Sequence, residues 1–338
     1  MSEKPLYKNE KGNILIKKFD LLFKEKIYSL LLNSDLNEIN SLDIFDDSLN
    51  KDNIKEKLDL LILDKNIQIY ILEANQELIG IYFLNQFNND PYISFIIKKE
   101  KRNKGYGKLG LFLFIKELSN TYPNIKLYFF KIKKNNIWAN LIISGNNAEI
   151  QSENESEIIF KIEKGNNIWI HRIEIDDLNK IMSITNDAKN LLKQNGSLQW
   201  QQGYPNEDTF KIDIKNKSLY GIYQDKELMG YGAYIFGKDE NYVEIDGKWD
   251  IPANDKDLAI HRVAVDKNCH GKQFGMKILK YGIIYAKNLG CPTVKVDTHK
   301  NNIPMQKSIK KSGFIYKGIV KIIRDKLDNL RLAYEIVL

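Results

Sequence analysis

Short runs of alternating apolar and polar residues recur along the chain, and stretches with helical periodicity lie between them. In the second half, residues 219–224, 228–236 and 258–265 alternate in this way and predict strands. From about Phe274 to Asn288 the apolar residues instead recur every three or four positions, which predicts a helix. The first half shows the same order of strands and helices. We therefore expect an α/β protein.

Three short segments occur twice in the same order, which predicts that the chain contains two copies of one domain. The pairs are Glu77–Gly80 with Glu227–Gly230, Arg102–Gly107 with His270–Gly275, and Lys134–Ile137 with Lys300–Ile303. The spacing from the second pair to the third is nearly the same in both copies. Gly165-Asn166-Asn167 punctuates the chain between them. We expect an N-terminal domain at 1–165 and a C-terminal domain at 166–338.

Length and composition agree with two domains and narrow the class of protein. The 338 residues exceed the roughly 250–300 at which single cores stop growing. The formal net charge is +7, but the basic residues are scattered, so no nucleic-acid partner is expected. No apolar run reaches the roughly 20 residues of a membrane span, and no signal-peptide pattern is present. We expect a cytoplasmic protein without membrane contact.

The cysteines and histidines give no sign of a metal site or a disulfide framework. The two cysteines, Cys269 and Cys291, do not form a C-x-x-C pair, and the four histidines are scattered. Neither cysteine has a basic neighbour in sequence that would activate it as a nucleophile. We expect no bound metal and no covalent cysteine chemistry.

The segment after the predicted strand 258–265 combines a glycine-bearing basic loop with the start of a helix. Unpaired N–H groups at a helix start, together with the helix dipole, form a binding site for anions. Small residues such as Gly271 let a diphosphate approach the backbone, and Lys272 adds a cation. A basic glycine turn is also a common connection between a strand and a helix. The loop by itself leaves both readings open.

The wider pattern resembles the GNAT superfamily of acyl-CoA N-acyltransferases, whose diphosphate loop reads Q/R-x-x-G-x-G/A. Residues Arg102–Gly107 fit this pattern, whereas His270–Gly275 departs from it at His270 and Gln273. In the second half, the Asn302 and Gly313-Phe314 segments resemble the superfamily segment that meets the coenzyme A arm. Three further segments resemble one bacterial branch of the superfamily: Trp200–Asn206, Ile245–Trp249 and His261–Val265. In the first half no Gly-Phe follows Ser144, so that copy looks degenerate.

The resemblance implies two tandem GNAT-like domains, each a mixed, largely antiparallel sheet with splayed central strands and flanking helices. It also implies N-acetyl transfer from acetyl-CoA, or another acyl-CoA, to a primary amine of a small molecule or peptide, catalysed by the C-terminal domain. The cofactor-binding residues expected in that domain lie on the fourth strand, its loop and the next helix: Val263, Ala264, Val265, His270, Gly271, Lys272, Gln273, Phe274, Gly275, Asn302 and Met305. The corresponding residues of the first domain are Arg102, Lys104, Gly105 and Gly107.

Catalytic and acceptor-binding residues follow from the same resemblance. Glu244 is the first choice for the general base and His261 the second, with Asp246 and His299 also near the expected amine. The tyrosine that serves as the acid in many relatives is replaced by Ile309. An aromatic-rich insertion, present in the second copy only, suggests an acceptor pocket. The candidate residues of this pocket are Trp200, Tyr204, Tyr242 and Trp249.

Two alternatives remain open from the sequence. The protein could be a non-catalytic acyl-CoA sensor that uses the Arg102–Gly107 loop, or the first domain could be the active one. The acceptor, the acyl chain preference and the oligomeric state, including a homodimer, are not determined by the sequence.

Overall fold

The computed structural model describes residues 7–9, 12–42, 44–45, 48–85, 91–325 and 327–338. The chain divides into two compact units, Met1–Asn167 and Ile168–Leu338. Within the described residues, no helix is both long and apolar enough to cross a bilayer.

The first unit contains one sheet and five helices among its described residues. Its strands are β1 (Tyr7–Asn9), β2 (Gly12–Lys18), β3 (Ile67–Ala74), β4 (Glu77–Asn85), β5 (Tyr92–Ile97), β6 (Leu127–Lys133), β7 (Glu149–Glu153) and β8 (Glu157–Glu163). Its helices are α1 (Lys24–Leu32), α2 (Leu36–Asn40), α3 (Ile54–Leu63), α4 (Tyr106–Thr121) and α5 (Ile137–Ser144). The sheet order is β1-β2-β3-β4-β5-β6-β8-β7.

The second unit repeats this plan. Its strands are β9 (Ile168–Arg172), β10 (Leu219–Gln224), β11 (Glu227–Phe236), β12 (Asp246–Gly247), β13 (Leu258–Val265), β14 (Thr293–Thr298), β15 (Ile315–Lys321) and β16 (Leu330–Val337). Its helices are α6 (Leu178–Gln194), α7 (Glu207–Lys215), α8 (Phe274–Leu289) and α9 (Ile303–Lys311). The sheet order is β12-β15-β16-β14-β13-β11-β10-β9.

The two sheets share one topology, which confirms the predicted fold class. Strands β2-β3-β4-β5-β6-β8-β7 correspond in order to β9-β10-β11-β13-β14-β16-β15. All neighbours in the sheets are antiparallel except β5 with β6 and β13 with β14, which run parallel. A parallel pair requires a crossover, and α4 and α8 supply it, packing apolar side chains such as Phe114 and Leu279 into the core.

Local sequence explains where the helices near the later site begin and end. The Asn206 side chain accepts from the Thr209 amide and begins α7, and the Asn302 side chain accepts from the Met305 amide and begins α9. Gly290 adopts a left-handed conformation and ends α8. These caps fix the ends of the helices that border the cleft described below.

Candidate active site

The central strands of the second sheet separate along their length. Strands β13 and β14 pair only from Leu258 opposite Val294 to Ile260 opposite Val296, and β13 continues unpaired on this side to Val265. The backbone groups of the last five residues of β13 are therefore free of β14. The same separation is present in the first unit, where β5 and β6 pair only at Tyr92 and Phe129.

A β-bulge distinguishes the second unit from the first. The register between β11 and β13 shifts between Tyr231 and Ala233, so that Arg262 and Val263 together lie opposite Gly232. Arg262 has a φ of +53°, in the left-handed region that a non-glycine residue rarely adopts. In the first unit, β4 and β5 pair without a break from Gly80 opposite Ile97 to Asn85 opposite Tyr92.

A buried ion pair fixes this bulge. The Arg262 guanidinium donates from Nε and Nη2 to the two carboxylate oxygens of Asp213, at 2.9 and 3.0 Å. Its Nη1 donates to the Tyr204 hydroxyl at 2.6 Å. Both charged side chains are 8% exposed, and a bidentate pair of this kind holds one geometry. The left-handed backbone at Arg262 is thus compensated by side-chain contacts to α7 and to the loop before it.

The loop between β13 and α8 presents unpaired backbone donors. Gly271 and Gln273 both have positive φ values, +86° and +61°, which turn the chain sharply before α8. Among the described residues, no carbonyl or side chain accepts from the amides of Gly271, Gln273, Phe274, Gly275 or Met276. A Cβ added at Gly275 would meet nothing closer than 3.8 Å. The loop therefore fits a diphosphate, which needs several convergent N–H donors and close approach to the backbone.

A cavity of about 1050 Å³ joins this loop to the separated strands. It includes most of the residues that the sequence predicts for cofactor binding in this unit: Val263, Ala264, Val265, His270, Gly271, Gln273, Phe274, Gly275, Asn302 and Met305. Lys272 is exposed and does not line the cavity. His261, Trp200 and Tyr204 also line it.

His261 lies where β13 and β14 separate and is held between two carboxylates. Its Nε2 is 2.5 Å from Oδ2 of Asp239, and its Nδ1 is 3.8 Å from Oδ1 of Asp297. Burial favours the neutral form of Asp239, but the hydrogen bond and charge of His261 outweigh it and lower the pKa of Asp239 to about 2. Asp297 also accepts from the Tyr242 hydroxyl at 2.7 Å. The imidazole is fixed in orientation, as a base with a carboxylate behind it requires.

Three other predicted site residues do not reach the cavity. Glu244 is exposed on the segment before β12. Tyr242 and Trp249 are 1% and 5% exposed and pack together in a buried cluster, with Trp249 Nε1 donating to the Tyr242 carbonyl at 2.8 Å. The Tyr242 hydroxyl of this cluster donates to Asp297 and so helps to hold one of the two carboxylates beside His261.

His299 and Ile309 are buried beside the cavity. Burial lowers the pKa of His299, although the Asp328 carboxylate opposes the shift. Its Nε2 is 3.1 Å from Asp328, and its Nδ1 accepts from the Asn301 amide. The position where many relatives have a tyrosine is occupied by Ile309, which is fully buried and has no proton to donate.

A second cavity of about 440 Å³ adjoins the first. Both cavities are lined by Tyr204, Asn241, His261, Arg262 and Arg324. His261 is thus accessible from two sides.

The corresponding loop of the first unit has the same backbone but different surroundings. Asn103 and Gly105 have positive φ values of +58° and +80°, matching Gly271 and Gln273. Arg102, however, donates to both carboxylate oxygens of Glu38 at 2.6 and 2.8 Å, and its Nε donates to the Ile97 carbonyl at 3.0 Å. The arginine of the motif is therefore occupied by its own chain.

The groove beside this first loop is filled as well. A Cβ at Gly107 would lie 2.5 Å from Cδ1 of Ile142, whereas the equivalent Gly275 faces the smaller Ser308. The Ser94 hydroxyl donates to the Leu42 carbonyl, and Leu42 belongs to the same buried cluster as Ile96 on β5. The helix α2 and the residues after it thus cover the face of β5 that corresponds to the open face of β13. Lys104 is exposed.

Sequence reasoning missed several residues that shape the site. Asp239, Asp213 and Arg324 lie outside the motifs, and nothing in their local pattern marks them. Arg262 stood inside the His261–Val265 segment, but its left-handed backbone has no sequence signal. Among the described residues, no group of His, Cys, Asp and Glu side chains could hold a metal ion.

Comparison with known proteins gives one family. A family model described as the acetyltransferase (GNAT) family matches residues 185–314. A GNAT-family acetyltransferase from Streptococcus agalactiae is 31% identical over 51% of this chain and 95% of that chain, with a TM-score of 0.45. A spermidine N-acetyltransferase from Vibrio cholerae, solved with CoA and spermine, is 17% identical over 45% of this chain and 96% of that chain, with a TM-score of 0.38. A ribosomal-protein-alanine N-acetyltransferase from Brucella melitensis is 17% identical over 50% of this chain and 99% of that chain, with a TM-score of 0.39. A search of curated proteins finds no match.

These findings confirm the resemblance, the predicted activity class and acetyl-CoA as the donor. With 31% identity across 95% of the Streptococcus agalactiae protein, this chain belongs to the GNAT family of acetyltransferases, which transfer an acetyl group from acetyl-CoA to an amine.

Proposed function

We propose that the second unit transfers an acetyl group directly from acetyl-CoA to a primary amine of a small molecule or a peptide. One observation carries this proposal: a single cavity of about 1050 Å³ links the unpaired amides of the loop to the bulge and to His261. Acetyl-CoA supplies a thioester, whose acetyl carbon bonds to the amine nitrogen while the carbon–sulfur bond breaks and the thiolate takes up a proton. The protein must bind acetyl-CoA, accept a proton from the amine and hold the amine in line with the thioester carbon.

The loop and the strand divide the binding of the donor between them. The amides of Gly271 and Gln273–Met276 are arranged to hold the diphosphate at the start of α8. The free edge of β13, from Val263 to Val265, offers main-chain groups to the extended arm that follows the diphosphate. Asn302 and Met305, on the cavity wall at the start of α9, flank the same path.

His261 is the base in this proposal, in preference to the exposed Glu244. It lies where the two cavities meet, and Asp239 stabilises the positive charge that the ring acquires when it accepts the amine proton. In this proposal, a main-chain N–H group at the bulge stabilises the charge that develops on the acetyl oxygen.

The first unit is non-catalytic in this proposal and stabilises the chain without transferring acetyl groups. This is supported by the contacts of Arg102 with Glu38 and Ile97, the absence of a bulge between β4 and β5, and the filled groove beside Gly107. The same contacts argue against the sensor alternative, because the motif arginine is paired within its own unit and the groove beside Gly107 is filled.

A charged substitution at Gly275 tests the proposal. Gly275→Asp places a carboxylate in the first turn of α8, where it suits the helix dipole but repels a diphosphate. We expect the melting temperature to be retained, the Kd for acetyl-CoA measured by calorimetry to rise at least tenfold, and the acetylation rate at fixed acetyl-CoA to fall accordingly.

The equivalent exposed lysines of the two loops provide a matched control. Lys272→Glu should weaken acetyl-CoA binding several-fold, whereas Lys104→Glu should leave it unchanged. If Lys104→Glu weakens binding and Gly275→Asp does not, the first loop holds the donor and the proposal is wrong.

A further inference from the structure

The smaller cavity adjoins His261 and does not include the diphosphate loop. It shares with the larger cavity the wall formed by Tyr204, Asn241, His261, Arg262 and Arg324, and continues along α7 past Asp208 and Thr209. The donor fills the larger cavity in the proposed function. An acceptor that approaches His261 from the opposite side must therefore enter the smaller one.

Most charges around this cavity are already paired within the protein. Arg262 is bound by Asp213 at 2.9 and 3.0 Å, and Asp239 is bound by His261 at 2.5 Å. Neither pair needs a ligand for neutrality. The charge that remains for recognition of an acceptor must come from elsewhere on the wall.

Arg324 supplies that charge. Its guanidinium carbon lies 4.2 Å from the centre of the Tyr204 ring, and no carboxylate of the described residues forms an ion pair with it. The Tyr204 hydroxyl is occupied by Arg262, so Tyr204 offers Arg324 only its ring face. The guanidinium lies over the ring face of Tyr204, which leaves its N–H groups available to a ligand.

We propose that the smaller cavity binds the acceptor and that Arg324 pairs with a carboxylate of that acceptor, which makes the substrate an amino acid or a related amino carboxylic acid. This inference rests on the proposed function, because it assumes that the donor occupies the larger cavity. A carboxylate matches the planar fork of a guanidinium. The nearby carboxylate of Asp208 disfavours the second negative charge of a phosphate monoester.

The cavity volume of about 440 Å³ sets the scale of the ligand. It accommodates an amino acid with a medium-sized side chain. The amine then lies toward His261 and the carboxylate toward Arg324.

The test compares the acetylation of free amino acids with that of their carboxamides, which keep the amine and the shape but lack the negative charge. The readout is thiol release from acetyl-CoA by the full chain, across the twenty common amino acids. We expect at least one amino acid to be acetylated with a kcat/KM at least tenfold above that of its carboxamide. Arg324→Gln should remove this preference by raising KM for the acid at least tenfold more than KM for the amide, and Arg324→Lys should restore part of it.

Lys321→Gln is the matched control, since Lys321 is an exposed cation on β15 that lines neither cavity. It should leave the preference intact. If carboxamides or aminoalkyl phosphates are used as well as the acids, or if Arg324→Gln slows acid and amide equally, the inference is overturned. If this inference fails but the unmodified chain binds acetyl-CoA in the same samples, the proposed function stands. If the unmodified chain does not bind acetyl-CoA, both the inference and the proposed function are overturned.

Discussion

At the scale of single residues, Gln273 is the clearest departure from the family motif, and the structure shows how it is tolerated. It holds a left-handed conformation, with a φ of +61°, at the position where the first loop has Gly105 at +80°. The amides of the turn are preserved because they belong to the backbone. The side chain nevertheless makes this conformation cost roughly 1–2 kcal/mol more than it costs glycine.

Gln273→Gly should therefore stabilise the second unit. Part of the gain is lost to the greater freedom of glycine in the unfolded chain, so we expect about 1 kcal/mol or less, or a rise in melting temperature of up to about 4 °C. Differential scanning calorimetry measures it. Gln273→Ala, which keeps a Cβ, is the control and should give no gain. A drop in melting temperature for the glycine variant would contradict this explanation of the loop.

Asp239 gives a prediction about pH. Its pKa is lowered from 3.8 to about 2 in the folded protein, so its contact with His261 stabilises the fold above about pH 4 and loses this effect as the pH falls toward 2. Asp239→Asn should lower the melting temperature of the second unit at neutral pH, and the difference from the unmodified chain should shrink between about pH 4 and pH 2. A difference that is constant across this range would contradict the assigned contact.

The sequence predicts most of the strand, turn and helix-start residues that line the larger cavity, together with Trp200, Tyr204 and His261. Residues from Val263 to Gly275, with Asn302 and Met305, are defined by a strand, a turn and a helix start, and these have local signals. Glu244 as the base and Trp249 as a pocket residue are predicted from residue type and sequence position alone. The side chain of Trp249 is buried and that of Glu244 is exposed, because the path of the insertion that carries them depends on long-range packing.

At the scale of elements, the bulge in β13 is the feature that separates the two copies. It depends on Arg262, whose side chain ties the strand to α7 through Asp213. A sequence shows that an arginine is present but not that its backbone is left-handed. Phe95, opposite Tyr82, stands at the equivalent point of β5, which stays regular.

Arg262→Lys should reduce catalysis more than donor binding. Lysine cannot reproduce the two-point contact with Asp213, so the bulge is held less firmly, and small displacements of reacting groups can cost on the order of 100-fold in rate. We expect kcat to fall at least tenfold and the Kd for acetyl-CoA to change less than threefold. Equal effects on kcat and Kd would show that Arg262 supports the fold as a whole instead of the bulge.

The insertion between β11 and β13 is attached by a second buried charge cluster. Lys295 on β14 is fully buried, and its ammonium group donates to Asp257 at 2.6 Å. The same ammonium group lies 3.4 Å from the carboxylate of Glu335 on β16. Glu335 also accepts from the Asp250 amide at 2.7 Å. Periodicity predicted the strands that carry Lys295 and Glu335 but gave no reason to expect charges inside the sheet packing.

At the scale of the whole molecule, the repeat and the fold class could be predicted from the sequence, whereas the contacts that close the first loop and leave the second cleft open are visible only in the structure. The first copy has the better match to the loop motif, yet its Arg102 is bound to Glu38 and its strand β5 is covered. The second copy has the weaker motif and the open cleft. A loop motif describes the backbone that can bind a diphosphate, but whether a ligand can reach it depends on elements far away in sequence.

The most direct test of this account is a crystal structure of the full chain with acetyl-CoA. We predict one donor per chain, with its diphosphate on the amides of Gly271–Met276 and its thioester beside the bulge at Arg262, within reach of His261. Density for the diphosphate on the Arg102–Gly107 loop, with the second cleft empty, would contradict the account.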